Sequence, residues 1–181
     1  MKYGDEAVSA ILDILNEQNI PYMLVGSLSS NAYGESRSTK DADFVIQLDP
    51  DKRKALFNAF PPEFEIEDQA RFETITGHTR QIISIPCIPF EIELFDFSDE
   101  PFDQSRFERR LQTTMSGRTV WLPTPEDVIV QKLRWAKLGS RPKDLLDAQG
   151  IVRLRSKTLD WDYIKKWCKK LDIEDKLEEL N

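Results

Sequence analysis

Apolar positions change period repeatedly along this chain, and each change marks an element. Ala7, Val8, Ile11, Leu12 and Leu15 recur at helical spacing over residues 5–18, and Asn19-Ile20-Pro21 stops that helix. The run Tyr22–Val25 predicts a buried strand. Ser27–Tyr33 reads as a short helix and Asp41–Leu48 as a second strand. Pro50 opens a helix through Phe57, which Pro61-Pro62 breaks. A helix over Glu67–Thr74 and strands over Gln81–Ile85 and Glu91–Phe97 are predicted next, with Pro86 and Pro89 bracketing the last connection. Phe102–Leu111 predicts a short helix and Thr119–Leu122 an edge strand. From Thr124 the pattern is helical over 125–138, 143–153, 161–171 and 174–180. Trp161, Tyr163, Ile164 and Trp167 share helical spacing and predict a core face. The whole predicts an α+β fold: a mixed β-sheet flanked by helices over residues 1–122, with a helical portion over 123–181 packed on it as a single unit.

The chemistry gathers where the first two strands meet their turns. Leu24-Val25-Gly26-Ser27 is followed, thirteen residues on, by Asp41-Ala42-Asp43-Phe44. Side chains at i and i+2 of a strand point to one face, so Asp41 and Asp43 project together. Two adjacent carboxylates repel unless a cation joins them, and an all-oxygen donor set suits Mg²⁺ or Mn²⁺. Gly26 permits a sharp bend and close approach to a ligand. Ser27 opens a helix whose free N–H groups favour a phosphate. An EF-hand is a poor fit, because Val45 and Ile46 stand where that loop needs an oxygen ligand and a glycine. A nucleotide-sugar glycosyltransferase would also carry Asp-x-Asp, yet it does not need the upstream Gly-Ser.

Apolar residue, Gly-Ser, a gap of this length and Asp-x-Asp together resemble the first motif of the nucleotidyltransferase superfamily of the DNA polymerase beta type. That resemblance implies a third carboxylate on a neighbouring strand. Phe90-Glu91-Ile92-Glu93-Leu94-Phe95 alternates as a half-buried strand should. Ile92-Glu93-Leu94-Phe95 matches the family's form at Glu93, with Glu in place of the commoner Asp and Glu91 as the alternative. Pro125–Leu133, which contains Lys132, and then Arg141-Pro142-Lys143-Asp144-Leu145-Leu146-Asp147 are similar to small bacterial nucleotidyltransferases related to abortive-infection toxins. There the helical lysine contacts the triphosphate and a later aspartate belongs to the site, roles that map to Lys132 and to Asp144 or Asp147. Lys143 stands where Arg is usual. Arg37-Ser38-Thr39 matches the family's Arg-x-Thr before the acids, and Arg37 can hold a phosphate or a carboxylate bidentately. Val128 and Ala136 flank Lys132 at i±4, which places it near the buried stripe; its removal is expected to leave the fold intact.

The resemblance implies metal-dependent transfer of a nucleoside monophosphate from an NTP to a hydroxyl-type acceptor: a small molecule, a protein or a tRNA. Asp41, Asp43 and Glu93 would hold Mg²⁺ or Mn²⁺, and Gly26, Ser27, Arg37, Lys132, Asp144 and Asp147 would serve the nucleotide. The alternative is a non-catalytic nucleotide- or protein-binding relative, one component of a toxin–antitoxin-like pair with a protein partner.

Charge and composition narrow this further. The net charge is −7, yet residues 1–100 hold 8 Lys and Arg against 19 Asp and Glu, and residues 101–181 hold 17 against 13. The acidic balance argues against general DNA binding. A basic second half facing an acidic metal-bearing half suits a polyphosphate. Cys87 and Cys168 have no metal-type spacing, which predicts a reduced, cytoplasmic setting. The single histidine, His78, reads as a turn residue. Met1–Asp13 is charged and helical in pattern, so no signal peptide is expected, and no apolar run approaches membrane-spanning length.

Overall fold

The computed structural model describes residues 4–73 and 77–180. Helix α1 (Gly4–Glu17) leads into strand β1 (Tyr22–Val25), helix α2 (Gly26–Tyr33), strand β2 (Asp41–Ile46) and helix α3 (Pro50–Asn58). Strands β3 (Glu65–Ile66), β4 (Arg71–Glu73), β5 (His78–Ser84) and β6 (Glu91–Asp96) follow. Helix α4 (Pro101–Glu108) and the hairpin β7 (Leu111–Met115) and β8 (Arg118–Leu122) precede four helices: α5 (Pro125–Leu138), α6 (Pro142–Arg155), α7 (Trp161–Lys170) and α8 (Glu174–Glu178).

The main sheet runs β1-β2-β6-β5-β3, with β4 also on β5. The β2–β6 pair is parallel and the other pairings are antiparallel, so the sheet is mixed, as the sequence predicts. Strand alternation divides its faces. Tyr22, Leu24, Ala42, Phe44, Ile46, Ile83, Ile92 and Leu94 point to one side and pack with α1, Leu56 and β8 into the largest core cluster. Met23, Val25 and Val45 point to the other side, where Phe95, Phe97 and Phe107 join them. A second large cluster joins α5, α6, α7 and α8 to Phe102 of α4. Ile164 and Trp167 are buried there, and Trp161 and Tyr163 pack against them.

Two predicted elements are corrected. Residues predicted to be helical over 67–74 instead form an open stretch and β4, whose Arg71 pairs with Arg80; Thr74 lies outside the described residues. Helix α4 stops at Glu108, and Leu111 begins a strand rather than ending a helix. That strand turns at Ser116 (φ 50°) and Gly117 (φ 77°), the paired positive φ values of a tight two-residue hairpin turn.

Candidate active site

The sheet supplies one wall of the site. In the parallel β2–β6 pair, Asp41 lies opposite Glu91 and Asp43 opposite Glu93; in the β1–β2 pair, Val25 lies opposite Asp43. Asp43 therefore stands between the Gly26 turn and Glu93. Gly26 has φ +63°, and a Cβ built on it would collide with the Asp43 carboxylate. Glycine is thus required twice over, by backbone conformation and by the approach of Asp43. Thr39 donates its hydroxyl to Asp41 Oδ1. Arg80 Nη1 donates to Glu93 Oε2 at 2.8 Å. Burial and the neighbouring charges of Glu93 and Asp41 push the Asp43 carboxyl up to about 7, against the pull of Lys132 and Arg141. Glu93 is also raised, by burial first and by Asp41 and Glu91, with Arg80 opposing. Glu91 is exposed at the start of β6, and it is Glu93 that lines the cavity.

Helices α5 and α6 supply the facing wall. The Thr124 side chain caps α5 by accepting from the Asp127 backbone N–H, and Pro125 occupies its first turn. Lys132 is then carried inward and is only 6% exposed. Its Nζ lies 2.7 Å from Asp144 Oδ1 and 2.8 Å from Asp147 Oδ2, so both candidate aspartates hold it. Asp144 and Asp147, three apart on α6, share a face. Arg37 grips Asp147 through Nε at 2.7 Å and Nη2 at 2.9 Å, and donates from Nη2 to Ser27 Oγ at 2.8 Å. Asn31 pins the Arg37 backbone through both its N–H and its carbonyl. Burial would raise the Asp147 carboxyl, but hydrogen bonds from Arg37 and Lys132 hold it below its ordinary value. Arg141 reaches Asp144 Oδ2 at 2.9 Å, whereas Lys143 is exposed at the rim. Lys132 is therefore central to a buried charge network. Its removal would take the central cation from two buried carboxylates, which would keep only Arg141 and Arg37, so a cost in stability is expected beside any loss of phosphate binding.

Both walls line one cavity, which Gly26, Ser27, Asp41, Asp43, Glu93, Lys132 and Asp144 share; Arg37 and Asp147 stand behind them. Arg80 and Arg106 line the cavity and pair with acids without a signal in the sequence, whereas Arg141 stands at the head of the motif that opens α6. Arg80 has no local signal, since its partner is brought to it by the β5–β6 register. His78 is corrected too. It begins β5, lines the cavity, and its Nε2 lies 2.8 Å from Asp103 Oδ2.

The sheet wall suits a divalent cation by its donor chemistry: hard carboxylate oxygens and an Asp43 whose ionised form is disfavoured by its own neighbours. In the present side-chain positions no three His, Cys, Asp or Glu residues form a ready cation cage among the described residues. Thr39 engages Asp41 and Arg80 engages Glu93.

The fold is that of nucleotidyltransferases. A nucleotidyltransferase-like antigenic protein from Paracoccidioides brasiliensis superposes with TM-score 0.58 at 21% identity, over 96% of this chain and 91% of that one. ANT(2")-Ia, solved in complex with adenylyl-2"-tobramycin, superposes with TM-score 0.61 at 13% identity, over 92% and 95%. JHP933 from Helicobacter pylori superposes with TM-score 0.57 at 18% identity, over 92% and 72%. No curated protein matches the chain significantly by sequence. The family model described as nucleotidyl transferase AbiEii toxin, Type IV TA system, matches residues 17–175, and the chain belongs to that family. It is a nucleotidyltransferase. Among the described residues no helix is long and apolar enough to cross a membrane.

Proposed function

We propose that this cavity transfers a nucleoside monophosphate from an NTP to a hydroxyl-type acceptor and releases pyrophosphate. The observation that carries the proposal is the pairing of a wall of crowded carboxylates with a cationic one across a single cavity. Asp41, Asp43 and Glu93 would hold Mg²⁺ or Mn²⁺, which when bound polarises the phosphate and stabilises charge developing on it. Gly26 and Ser27 at the start of α2 would present backbone N–H groups to the terminal phosphates. Lys132 and Arg37, fixed by Asp144 and Asp147, would offset the charge of the leaving pyrophosphate. The acceptor oxygen attacks the α-phosphorus, the bond to the pyrophosphate oxygen breaks, and the hydroxyl proton passes to Glu93. Arg80 holds one Glu93 oxygen, so Oε1 is the one placed to accept it.

The acceptor classes compatible with this chemistry are a small molecule, a protein or a tRNA. The adenylylated tobramycin of the ANT(2")-Ia complex supports the first, and the toxin description of the family supports a macromolecular target and a partner protein in a two-component system. A purely binding role is less well supported, since it would not require three carboxylates, a lysine and an arginine around one cavity.

The test is label transfer. Each α-labelled NTP is incubated with the protein, Mg²⁺ or Mn²⁺, and a cell extract fractionated into small molecules, proteins and RNA. One fraction should acquire label with equimolar pyrophosphate release, and none should without metal. Absence of transfer with either metal, or transfer unaffected by chelator, refutes the proposal.

A further inference from the structure

The outer strands of the two sheets differ in how they meet solvent. On the main sheet β1 is buried along its whole length, β3 is two residues long, and β4 carries Arg71 and Glu73. Burial, shortness and charge all discourage a further strand from pairing there. In the hairpin β8 lies against β1 and α1. Strand β7 has none of these protections. It reads Leu-Gln-Thr-Thr-Met, with no charge, proline, glycine or bulge, and is exposed through Thr114. β8 occupies one of its edges, and no strand among the described residues occupies the other. An exposed edge of this kind is a template for strand addition.

The turn fixes which backbone groups of β7 face outward. Ser116-Gly117 is a two-residue turn, so Met115 and Arg118 form a hydrogen-bonded pair. Bonded and unbonded pairs alternate along an antiparallel ladder. Leu111, Thr113 and Met115 therefore turn their N–H and C=O groups to β8, and Gln112 and Thr114 turn theirs away. These two residues stand symmetrically about Thr113. A second β7 run antiparallel can thus exchange both backbone bonds of Gln112 with Thr114, and both of Thr114 with Gln112. That register alone pairs the whole strand.

We propose that two copies of this chain dimerise through β7, joining their hairpins into one four-stranded antiparallel sheet in the order β8-β7-β7-β8. Side chains follow the same symmetry. Leu111, a large apolar residue 49% exposed, falls opposite Met115 of the second copy. Both lie on the β7 face that pairs with Val120 and Leu122 of the core, and theirs is an unbonded pair, where side chains approach most closely. Thr113 meets Thr113 on the twofold axis. Charge agrees as well. One residue further along the register, Arg110 comes level with Ser116 of the second copy. Arg110 stacks on Phe107 and Trp121 at 4.0 and 5.1 Å and has no carboxylate against it among the described residues. Ser116 borders a groove that holds Asp5, Glu6 and Asp13 of α1 beside a single cation, Arg118. The symmetry makes this complementary contact twice.

The test uses the full chain. Sedimentation velocity from about 1 to about 300 µM should show a reversible monomer–dimer equilibrium, since a strand pair is a small interface with a dissociation constant on the order of micromolar. Thr114→Pro removes an outward N–H and spares the ladder to β8. Thr113→Lys sets like charges opposite each other on the twofold axis. Each should weaken dimerisation about ten-fold or more, with the circular dichroism of the monomer unchanged. Crosslinking reads the register in a Cys87→Ser background, which leaves only the buried Cys168. Thr113→Cys brings two thiols together with Cα atoms about 4.5 Å apart, so oxidation should link the copies. Gln112→Cys sets its two thiols a two-residue step apart along the strands, beyond disulfide reach, and should not link them. The crosslink decides the matter even if one of the first two variants fails to fold. A monomer throughout the range, including one that captures a strand of another protein, overturns the inference. So does a dimer indifferent to Thr114→Pro and Thr113→Lys, or one that crosslinks equally at both positions.

Discussion

The two walls of the cavity are built from the same kinds of side chain and treat them oppositely. On the helix wall every buried charge has a partner: Lys132 with Asp144 and Asp147, Arg37 with Asp147, Arg141 with Asp144. On the sheet wall Asp41, Asp43 and Glu93 are adjacent like charges, and Asp43 is pushed up to about 7 as a result. A paired buried network is neutral to folding at best but costs much when one member is removed. A crowd of like charges, in which Arg80 offsets Glu93 alone of these three, is a standing penalty that a cation would relieve. The difference shows which wall is finished by folding and which is finished by ligand.

The largest expected effect comes from the unfinished wall. Asp43→Asn keeps the size of the side chain and removes its charge. Transfer should fall by about three orders of magnitude, the scale of losing one charge-stabilising group at a reacting phosphate. The metal-free melting temperature should hold or rise, since Asp41 and Glu93 lose a repelling neighbour. A destabilised variant that keeps its rate would make Asp43 a structural carboxylate.

The finished wall should respond in stability as well as in rate. Lys132→Met keeps the stem and removes the ammonium, leaving two carboxylates that are 2% and 5% exposed with only the partly exposed Arg141 and Arg37. Removing one member of such a network costs up to roughly 3–5 kcal/mol, a drop of at most on the order of 10 °C for a chain of this size. Thermal unfolding without ligand measures it. A melting temperature within a degree of wild type would show that the network adds nothing to stability.

The pH dependence separates the walls without mutation. The Asp43 carboxyl is raised in the folded chain, so between about pH 4 and pH 7 the folded state binds more protons than the unfolded one. Its contribution is complete below that window and is lost as pH rises through it. Metal-free stability should therefore decline from pH 5 to pH 8 by roughly 1–3 kcal/mol, since a ten-fold difference in proton affinity is worth about 1.4 kcal/mol. Mg²⁺, or Asp43→Asn, should flatten the slope. A slope unchanged by both would place its origin elsewhere.

The smallest effect concerns the edge of the sheet wall. Arg80 competes for Glu93 with any cation. Arg80→Gln should tighten Mn²⁺ binding, read by electron paramagnetic resonance, by about two- to five-fold, the worth of a partly exposed ion pair. Weaker binding would instead make Arg80 a residue that positions Glu93.

Much of this architecture is legible in local pattern. The first two strands, α5 and the Gly-Ser and Asp-x-Asp junctions each carry their own period or turn signal. The helix expected over 67–74 failed because that polar stretch has good helix formers, while its strand state depends on pairing with β5, a contact that local sequence does not display. Strand β7 is exposed through residue 114 and shows no buried alternation; its only cue is the Ser116-Gly117 turn. At the site, Arg80 and the His78–Asp103 pair were illegible for one reason: their partners lie on other elements, so their environments exist only after the sheet is registered and the helices dock. Arg141 is different, since its partner Asp144 is three residues on, in the first turn of the helix that Arg141 caps.

Gly26 adds almost nothing to the core, yet a side chain there strikes the Asp43 carboxylate and demands a backbone that L-residues rarely adopt. Every codon for glycine lies one base change from residues that fail both requirements. The hereditary consequence is lopsided. A lineage that loses glycine at position 26 loses stability and site geometry together, and reversion must restore that one residue, because nothing larger leaves room for the acid behind it.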